Sequence, residues 1–389
     1  MSPRGQTPPS RRVAARLGRV SALWRRREYP PRLRAVRDLG SRARYSRSQS
    51  NLLIDALFAN LSTARLSGLL KAVRKTARIP QNCVQIHASN SPQPAVEAVA
   101  LSLLVGCAVI VRPSASDPGL LRHYVNSLRK EDPALGRAVR WLEPRDKKGL
   151  RKALANTPLV IAYGSDETLE SLRRRLGPWT RLAEHGHRVS SSVLTAEALR
   201  NGAVDTARRT ALDIWMDRQQ GCLSPRVVYV EGGGGPCLRF AEILAGELEK
   251  LTREDPLTSP SERAAAGRLR RLYRMRAALG ERIAWHERMG QGRYAVMYDE
   301  KLSREPDPFV PLCVCVKAFK SRAQLIRKLR RLSGHIQGIA LAASGRRRTA
   351  WIKALSPLKA SIITVPGKLQ FPPLDWQHDN KPRLYDWLS

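Results

Sequence analysis

Residues 84–111 read VQIHASNSPQPAVEAVALSLLVGCAVIV, and this stretch decides the fold. It begins with a short apolar run at 84–88, passes through a turn at 89–92 into a mostly apolar helical segment at 95–104, and ends in a second apolar run at 107–111. Continuous apolar strands that are joined through a helix are typical of parallel sheets covered on both faces. The stretch therefore predicts a β-α-β unit of an α/β protein.

The same alternation continues toward residue 190. An apolar strand at 159–163 ends at Gly164-Ser165, and a helical segment follows it. This pattern predicts a doubly wound, Rossmann-type sheet, in which ligands bind at the carboxyl ends of the strands. The turns at Asn90, Arg112 and Gly164 would lie at that edge. We therefore expect residues 49–190 to form a dinucleotide-binding domain.

A second α/β domain is expected over residues 191–355. A helix capped by Asp205 leads to Gln220-Gly221-Cys222, and a strand follows at 226–231. A thiol between a helix and a strand can be presented at a domain crevice, although a single cysteine is more often a small core residue. This domain is therefore the expected catalytic, thiol-bearing domain. The Pro-rich residues 356–389 are expected to pack back on the body as an extended segment.

The charge is concentrated at the amino terminus. The chain has 69 Lys and Arg against 33 Asp and Glu, a net charge of +36, and residues 1–48 contain fourteen Arg against only Glu28 and Asp38. With two Pro-Pro pairs and no sustained apolar period, residues 1–48 are predicted to be a basic, disordered tail. Because the sequence contains no zinc-finger spacing and no aromatic RNA-binding signature, we do not expect nucleic acid to be the main partner.

Composition excludes several classes of protein. An apolar content of 42% is too high for a chain that is disordered throughout. The longest nearly apolar run, at 95–111, contains Glu97 and Ser102 and is shorter than the about 20 residues that a membrane span needs. Six cysteines in 389 residues do not make a disulfide scaffold. We therefore expect reduced thiols and a cytoplasmic location.

Five motifs in a fixed order resemble those of the aldehyde dehydrogenase superfamily. They are Asn90-Ser91-Pro92, Arg112-Pro113-Ser114, Gly164-Ser165, Glu184-His185-Gly186-His187-Arg188 and Gln220-Gly221-Cys222. The LuxC-type fatty acyl-CoA reductases are similar to this chain in the sequences of three motifs. These are the motifs around Gly164 and Cys222 and the terminal Pro373-Leu374-Asp375-Trp376-Gln377-His378-Asp379. This resemblance extends over about residues 84–387, whereas residues 1–48 match nothing in that family.

The resemblance implies reduction of a long-chain acyl thioester to a fatty aldehyde. Cys222 would be the nucleophile, and the Asn90 side chain would hold the oxyanion together with the Cys222 backbone N–H. Glu184 would move protons, with a surface carboxylate as the alternative interpretation. His185 and His187 are not expected to bind a metal, because no third ligand accompanies them in the sequence.

The resemblance also implies a nicotinamide cofactor. Arg112 stands where the family has a ribose-contacting lysine, and Ala115 stands where relatives that prefer NAD often have an acid. An arginine that can pair with a 2′-phosphate, with no carboxylate to repel it, favours NADPH. Ser114, Gly164 and Ser165 would complete the cofactor site.

The implied partners are long-chain acyl-CoA, or an acyl carrier or acyl-protein synthetase that delivers the acyl group, and a homo-oligomer is expected. Two alternatives stay open at this point. One is an aldehyde-oxidising NAD(P) dehydrogenase with the same fold. The other is a catalytically silent, basic nucleic-acid-binding protein.

Overall fold

The computed structural model describes residues 11–71, 73, 78–256, 258–287 and 294–388. The chain divides into two compact units. The first contains residues 1–187 together with 373–389, and the second contains residues 188–372. The segment 356–389, which the sequence treats as one element, is therefore divided between the two units.

The described strands of the first unit form one parallel sheet of order β3-β2-β1-β4-β5. The order reverses between β1 and β4, which is the switch point of a doubly wound sheet. This confirms the predicted Rossmann-type arrangement. The strands are β1 (Asn82–Ile86), β2 (Ala108–Arg112), β3 (Val139–Trp141), β4 (Leu159–Tyr163) and β5 (Arg181–His185).

Helices cover both faces of this sheet. The connecting helices are α5 (Gln93–Leu104), α6 (Leu120–Glu131), α7 (Pro133–Arg137), α8 (Lys147–Ala155) and α9 (Asp166–Arg173). Apolar side chains of α8 and α9 pack on the face formed by Val84, Ile86 and Val160. On the opposite face, the Gln85 side-chain amide donates to the Ala98 carbonyl of α5 at 3.0 Å. Burial on both faces explains why β1, β2 and β4 are mostly apolar along their whole length.

The expected disordered tail is wrong for residues 11–48, while residues 1–10 of that prediction lie outside the described residues. Four helices precede the sheet: α1 (Arg11–Trp24), α2 (Pro30–Ala43), α3 (Arg47–Asn60) and α4 (Thr63–Leu70). The α1 stripe Val13, Leu17, Val20 and Trp24 has helical spacing and is at most 2% exposed. Only Arg16 and Arg19 lie between these positions, but the high arginine content of residues 1–48 as a whole obscured the stripe in the sequence.

Several arginines of these helices are structural. Arg32 is 1% exposed and donates to Asp55 at 2.6 Å and to the Trp24 carbonyl at 2.9 Å. Arg16 pairs with Asp132 at the start of α7. Arg16 and Arg32 therefore fasten these helices to other elements of the first unit.

The carboxyl-terminal residues 373–388 pack against α5. The indole nitrogen of Trp387 donates to the Ser102 hydroxyl at 2.7 Å. Arg383 pairs with Glu97 at 2.6 Å, and both side chains are less than 10% exposed. This segment, which we call the terminal strap, closes the first unit.

The second unit contains the sheet β12-β11-β6-β7-β10-β9-β8, in which only the edge pair β8–β9 is antiparallel among the described strands. Its strands are β6 (Val189–Leu194), β7 (Pro225–Glu231), β8 (Ile283–His286), β9 (Ala295–Asp299), β10 (Cys313–Phe319), β11 (Ile336–Ala342) and β12 (Ile362–Thr364). Its helices are α10 (Ala196–Trp215), α11 (Gly234–Thr252), α12 (Pro260–Ala278), α13 (Arg322–Leu329) and α14 (Gly345–Leu355). The central β6, β7, β10 and β11 are buried between helices. Of these, β7 corresponds to the strand expected at 226–231.

Candidate functional site

The connection between α10 and β7 is a tight turn with an unusual backbone. Asp217, Arg218 and Gln219 adopt left-handed angles in succession, with φ of 51°, 51° and 62°. Each such residue costs roughly 1–2 kcal/mol, so other contacts have to hold the turn. Arg218 is 1% exposed and pairs with Glu262 at 3.3 Å, and the Gln219 side chain donates to the Pro225 carbonyl at 2.8 Å. Side-chain contacts within the second unit therefore hold the turn in this conformation.

Cys222 follows this turn and is half-buried. Its carbonyl accepts a hydrogen bond from the Ser190 hydroxyl of β6 at 2.7 Å, which fixes the backbone of the loop. The other five cysteines are buried: Cys83, Cys107, Cys237, Cys313 and Cys315. Burial raises the pKa of Cys313 to about 12 and that of Cys315 to about 11. Cys222 is therefore the thiol best placed to react.

Gly338 of β11 leaves room for the Cys222 loop. A Cβ atom at this position would lie 2.8 Å from the Leu369 side chain, 3.0 Å from that of Leu223 and 3.2 Å from the Ser190 hydroxyl. These distances are shorter than ordinary van der Waals contacts. The absence of a side chain at Gly338 thus lets the loop and residues 365–370 approach β11 closely.

Asp213 ties residues 365–370 to the end of α10. Its carboxylate accepts the backbone N–H groups of Gly367 at 2.7 Å and Leu369 at 3.0 Å. The Gln370 amide donates to the Asp213 carbonyl and to the Ser224 hydroxyl. This network holds Ser224, two positions after Cys222, in place.

In the first unit, the structure brings the Asn90 and Ser114 turns together. The Ser116 hydroxyl lies 3.1 Å from that of Ser114 and donates to that of Ser89 at 2.8 Å. Asn90 is exposed in the adjoining loop between β1 and α5. The two turns form a hydroxyl-lined surface at the carboxyl ends of neighbouring strands.

Arg112 is the last residue of β2 at the same edge. Its Nη2 donates to the Pro144 carbonyl at 2.7 Å, while its Nε is buried and has no hydrogen-bond partner among the described residues. At the neighbouring β4, Gly164 is followed by Ser165, whose hydroxyl caps α9 by accepting the Thr168 N–H. Guanidinium, hydroxyl and helix amino-terminal groups together can bind phosphates and sugar hydroxyls.

Glu184 lies on the edge strand β5. Its carboxylate accepts from Arg173 of α9 at 2.6 Å, and its side chain is 32% exposed. The ion pair directs the carboxylate toward Arg173. A role in proton transfer requires this pair to open.

The largest difference from the sequence-based expectation concerns His185. Its ring stands in a column of rings in the order His87, Tyr163, His185, His378 and Trp376, with neighbouring centroids 4.4–5.4 Å apart. The first four rings are stacked, and the Trp376 ring is tilted by 36° against that of His378. Three of the rings follow the carboxyl ends of β1, β4 and β5, and two come from the terminal strap. The column therefore joins three strands to the carboxyl-terminal residues.

His185 lies between two carboxylates of the strap. Its Nδ1 is 2.5 Å from Asp379 and its Nε2 is 2.9 Å from Asp386. Although burial opposes the positive charge, the hydrogen bonds to both acids raise the pKa of His185 above its usual value. Burial lowers the pKa of His378 and of His87 to about 3, and the positive charge of His185 adds to both shifts. These shifts favour a positive charge on His185 and oppose one on His378 and His87.

His185, His378 and Asp379 bring three possible metal ligands within 4.8 Å of one another. The sequence contained no sign of this third ligand, because Asp379 is 194 positions from His185. The two imidazole planes are only 10° apart and their centroids are 4.7 Å apart. The lone pairs of two stacked imidazole rings run parallel and do not converge on one metal ion. Both His185 nitrogens also contact carboxylates. We therefore assign this cluster to fastening the strap.

A sequence model of the acyl-CoA reductase (LuxC) family matches residues 10–387. The chain belongs to this family. The match includes the amino-terminal helices, so the expectation that residues 1–48 have no counterpart in the family is wrong from residue 10 onward. No curated protein matches the sequence significantly. Family membership identifies the chain as an oxidoreductase that acts on aldehyde or acyl groups.

Solved structures show the same fold at low sequence identity. An oxidoreductase from Marinobacter aquaeolei is 13% identical with a TM-score of 0.77, and the match covers 99% of this chain and 86% of that one. A salicylaldehyde dehydrogenase from Pseudomonas putida is 13% identical with a TM-score of 0.75, covering 98% and 85%. An NAD-dependent benzaldehyde dehydrogenase from Corynebacterium glutamicum is 15% identical with a TM-score of 0.71, covering 94% and 83%.

The predicted aldehyde-dehydrogenase-like fold is thereby confirmed. None of the helices in the described part of the chain is both long and apolar enough to span a bilayer.

Proposed function

We propose that this LuxC-family chain reduces a long-chain fatty acyl thioester to the aldehyde with NADPH, through an acyl group carried on Cys222. The observation that supports this most is the loop itself. Of the six cysteines, Cys222 is half-buried and the other five are buried. Cys222 also follows three consecutive residues with left-handed backbone angles, which other side chains hold in place. Stored backbone strain of this kind concentrates at functional sites.

The Cys222 thiolate would attack the thioester carbonyl, form a new thioester and expel the donor thiolate, which then takes a proton. The Asn90 amide and the Cys222 backbone N–H are the proposed oxyanion donors. Loss of one such donor typically lowers the rate by about 100- to 1,000-fold. Glu184 is the proposed proton carrier for the thiol, acting when its ion pair with Arg173 is open.

The carboxyl edge of the first sheet has groups that fit a dinucleotide. The buried Nε of Arg112 lacks a partner among the described residues, and the hydroxyls of Ser114 and Ser116 lie nearby on the same turn. Gly164 and Ser165 offer backbone at the start of α9. Bound NADPH would supply a hydride to the acyl carbon, and the resulting thiohemiacetal would release the aldehyde and restore the Cys222 thiolate.

Preference for NADPH over NADH rests on two neighbouring positions. Arg112 is a cation that can pair with a 2′-phosphate, and the exposed Ala115 contributes no carboxylate to repel it. We expect Arg112→Ala to weaken NADPH binding more than NADH binding, because a contact to the ribose is lost with both cofactors and a contact to the 2′-phosphate only with NADPH. Equal losses for both cofactors would contradict this assignment.

The proposed function is tested by incubating the protein with a labelled long-chain acyl-CoA and measuring acyl transfer to the protein by mass spectrometry, then aldehyde formation with NADPH. Cys222→Ala should abolish both, and the matched change of a buried thiol, Cys237→Ala, should retain acylation. Failure of the wild-type protein to form the adduct would overturn the proposal.

Two other outcomes would favour the alternative functions. Aldehyde oxidation with NAD and no acyl transfer would favour the oxidising dehydrogenase. Salt-sensitive DNA binding that is unaffected by Cys222→Ala would favour the basic nucleic-acid-binding protein.

Chain length and acyl donor belong to the same proposal. A series of acyl-CoA chain lengths, compared with acyl carrier protein and an acyl-protein synthetase as donors, measures which thioester transfers its acyl group fastest. Sedimentation of the purified protein tests the proposed homo-oligomer.

A further inference from the structure

Arg226 is a partly buried cation with an aromatic partner and no acid. Its guanidinium carbon lies 3.3 Å from the ring centroid of Phe309, which is itself 42% exposed. Among the described residues, no carboxylate or carbonyl accepts a hydrogen bond from this guanidinium. Burial alone lowers the pKa of Arg226 to about 10.

Other buried cations of the same unit have carboxylate partners. Lys317 of β10 is 1% exposed and pairs with Asp299 at 3.0 Å, and Arg218 pairs with Glu262. Desolvating a cation without a counterion is costly, which is why buried charges are normally paired. Arg226, which is half-buried, has no carboxylate partner of this kind among the residues that the structure describes.

The position of Arg226 relates it to the thiol. It is the second residue of β7 and follows Cys222 by four positions, so the two Cα atoms are at most about 14 Å apart. The chain between them is held by the Gln219 hydrogen bond to the Pro225 carbonyl and by that of Ser190 to the Cys222 carbonyl. The cation therefore has a defined place beside the Cys222 loop.

The N–H groups of a guanidinium lie in the guanidinium plane. When its face is covered by a ring, these groups can still donate two parallel hydrogen bonds to the oxygens of a phosphate. The thioesters in the proposed function carry their acyl group on a pantetheine arm, and that arm ends in a phosphate. An anion of this kind supplies what Arg226 lacks: a counterion that arrives with the substrate.

We propose that Arg226, stacked on Phe309, binds the phosphate at the end of the pantetheine arm of the acyl donor. This inference rests on the proposed function. The same chemistry occurs in coenzyme A and in the phosphopantetheine group of a carrier protein. The site therefore recognises the phosphate-bearing arm of the acyl donor and not the acyl chain.

The test compares three thioesters of one acyl chain: acyl-CoA, acyl-phosphopantetheine and acyl-pantetheine, which lacks the phosphate. Loss of a charge-assisted hydrogen bond should raise the KM of Arg226→Gln about 10- to 100-fold for the two phosphorylated donors. The kcat values, and the KM for acyl-pantetheine, should stay within about twofold of the wild type. If the KM rises only for acyl-CoA, the anion bound is elsewhere in coenzyme A and the inference is wrong.

Two controls separate a local contact from diffuse charge and from misfolding. Arg239→Gln removes one exposed positive charge of the same unit, on α11, and should leave every KM unchanged. Arg226→Lys keeps the charge without the fork and should give an intermediate KM. Equal effects of Arg226→Gln on donors with and without phosphate would overturn the inference.

Calorimetry of coenzyme A binding gives a readout without turnover. Arg226→Gln should weaken binding by the same factor as its KM, and Arg239→Gln should not weaken it. If no thioester acylates Cys222, the proposed function fails; if acylation proceeds but Arg226→Gln binds coenzyme A normally, only this inference fails.

Discussion

The Nδ1 atom of His185 lies 2.5 Å from the carboxylate of Asp379, although the two residues are 194 positions apart in the chain. With Asp386 on the other ring nitrogen, this contact fastens the terminal strap to β5, directly beside Glu184. The strap is therefore a part of the first unit that the order of the sequence does not reveal. Because the pKa of His185 is raised, we expect the stability of the unit to depend on pH.

The first prediction concerns that sensitivity. The folded-state pKa of His185 is raised above the unfolded value of about 6.5, so its stabilising contribution is complete below that pH and is lost as the pH rises through the raised pKa. His185→Gln should lower the free energy of unfolding by about 3–5 kcal/mol at pH 6 and by clearly less at alkaline pH. Thermal unfolding of both proteins from pH 5.5 to 10 measures this, and a pH-independent difference would contradict it.

The second prediction concerns the amino-terminal helices. Trp24 is fully buried, stacks on Phe58 at 4.7 Å and donates to the Ser127 hydroxyl. Trp24→Ala should therefore destabilise the protein by about 3–5 kcal/mol. The control is Leu33→Ala on α2, where the side chain is 48% exposed and the change should cost less than about 0.5 kcal/mol. Denaturant unfolding measures both, and equal small effects would mean that these helices do not pack as described.

The third prediction concerns thiol reactivity. Because five cysteines are buried, a short treatment of the native protein with an alkylating reagent should modify Cys222 alone. Mass spectrometry should find one label in the wild type, none in Cys222→Ala, and labels on all six thiols after unfolding. Rapid labelling of Cys237 or Cys313 in the native state would contradict the burial described here.

The fourth prediction concerns the space beneath the Cys222 loop. Gly338→Ala adds a methyl group that would press on Leu223, Leu369 and Ser190, so it should cost about 1–3 kcal/mol and slow acylation of Cys222. Gly246→Ala is the matched control, since nothing lies within 4 Å of its Cβ position in α11. It should stabilise the protein by about 0.5–1 kcal/mol and leave acylation unchanged. Normal acylation by Gly338→Ala would show that the close approach is unimportant to the thiol.

The elements that the sequence predicted correctly are those whose signal is local. The apolar strands β1, β2 and β4 and the apolar helix α5 follow from runs of neighbouring residues, and the order of the five motifs indicated the family. The amino-terminal helices were missed because the fourteen arginines of residues 1–48 suggested a disordered tail, although only four of them lie in α1. The α1 stripe is recognisable as a core face only once α3 and α6 cover it. The roles of Asn90 and Glu184 stay predictions.

The sequence by itself determined the alternation of strands and helices, the family and the identity of the candidate thiol, because backbone periodicity and short motifs are properties of adjacent residues. Tertiary structure alone decided which charges are paired. His185 acquires two acids from the strap, Glu184 acquires Arg173, and Arg226 acquires only an aromatic ring. The free energy of a charge depends on burial and on partners distant in the chain, and neither is encoded within a local window of sequence.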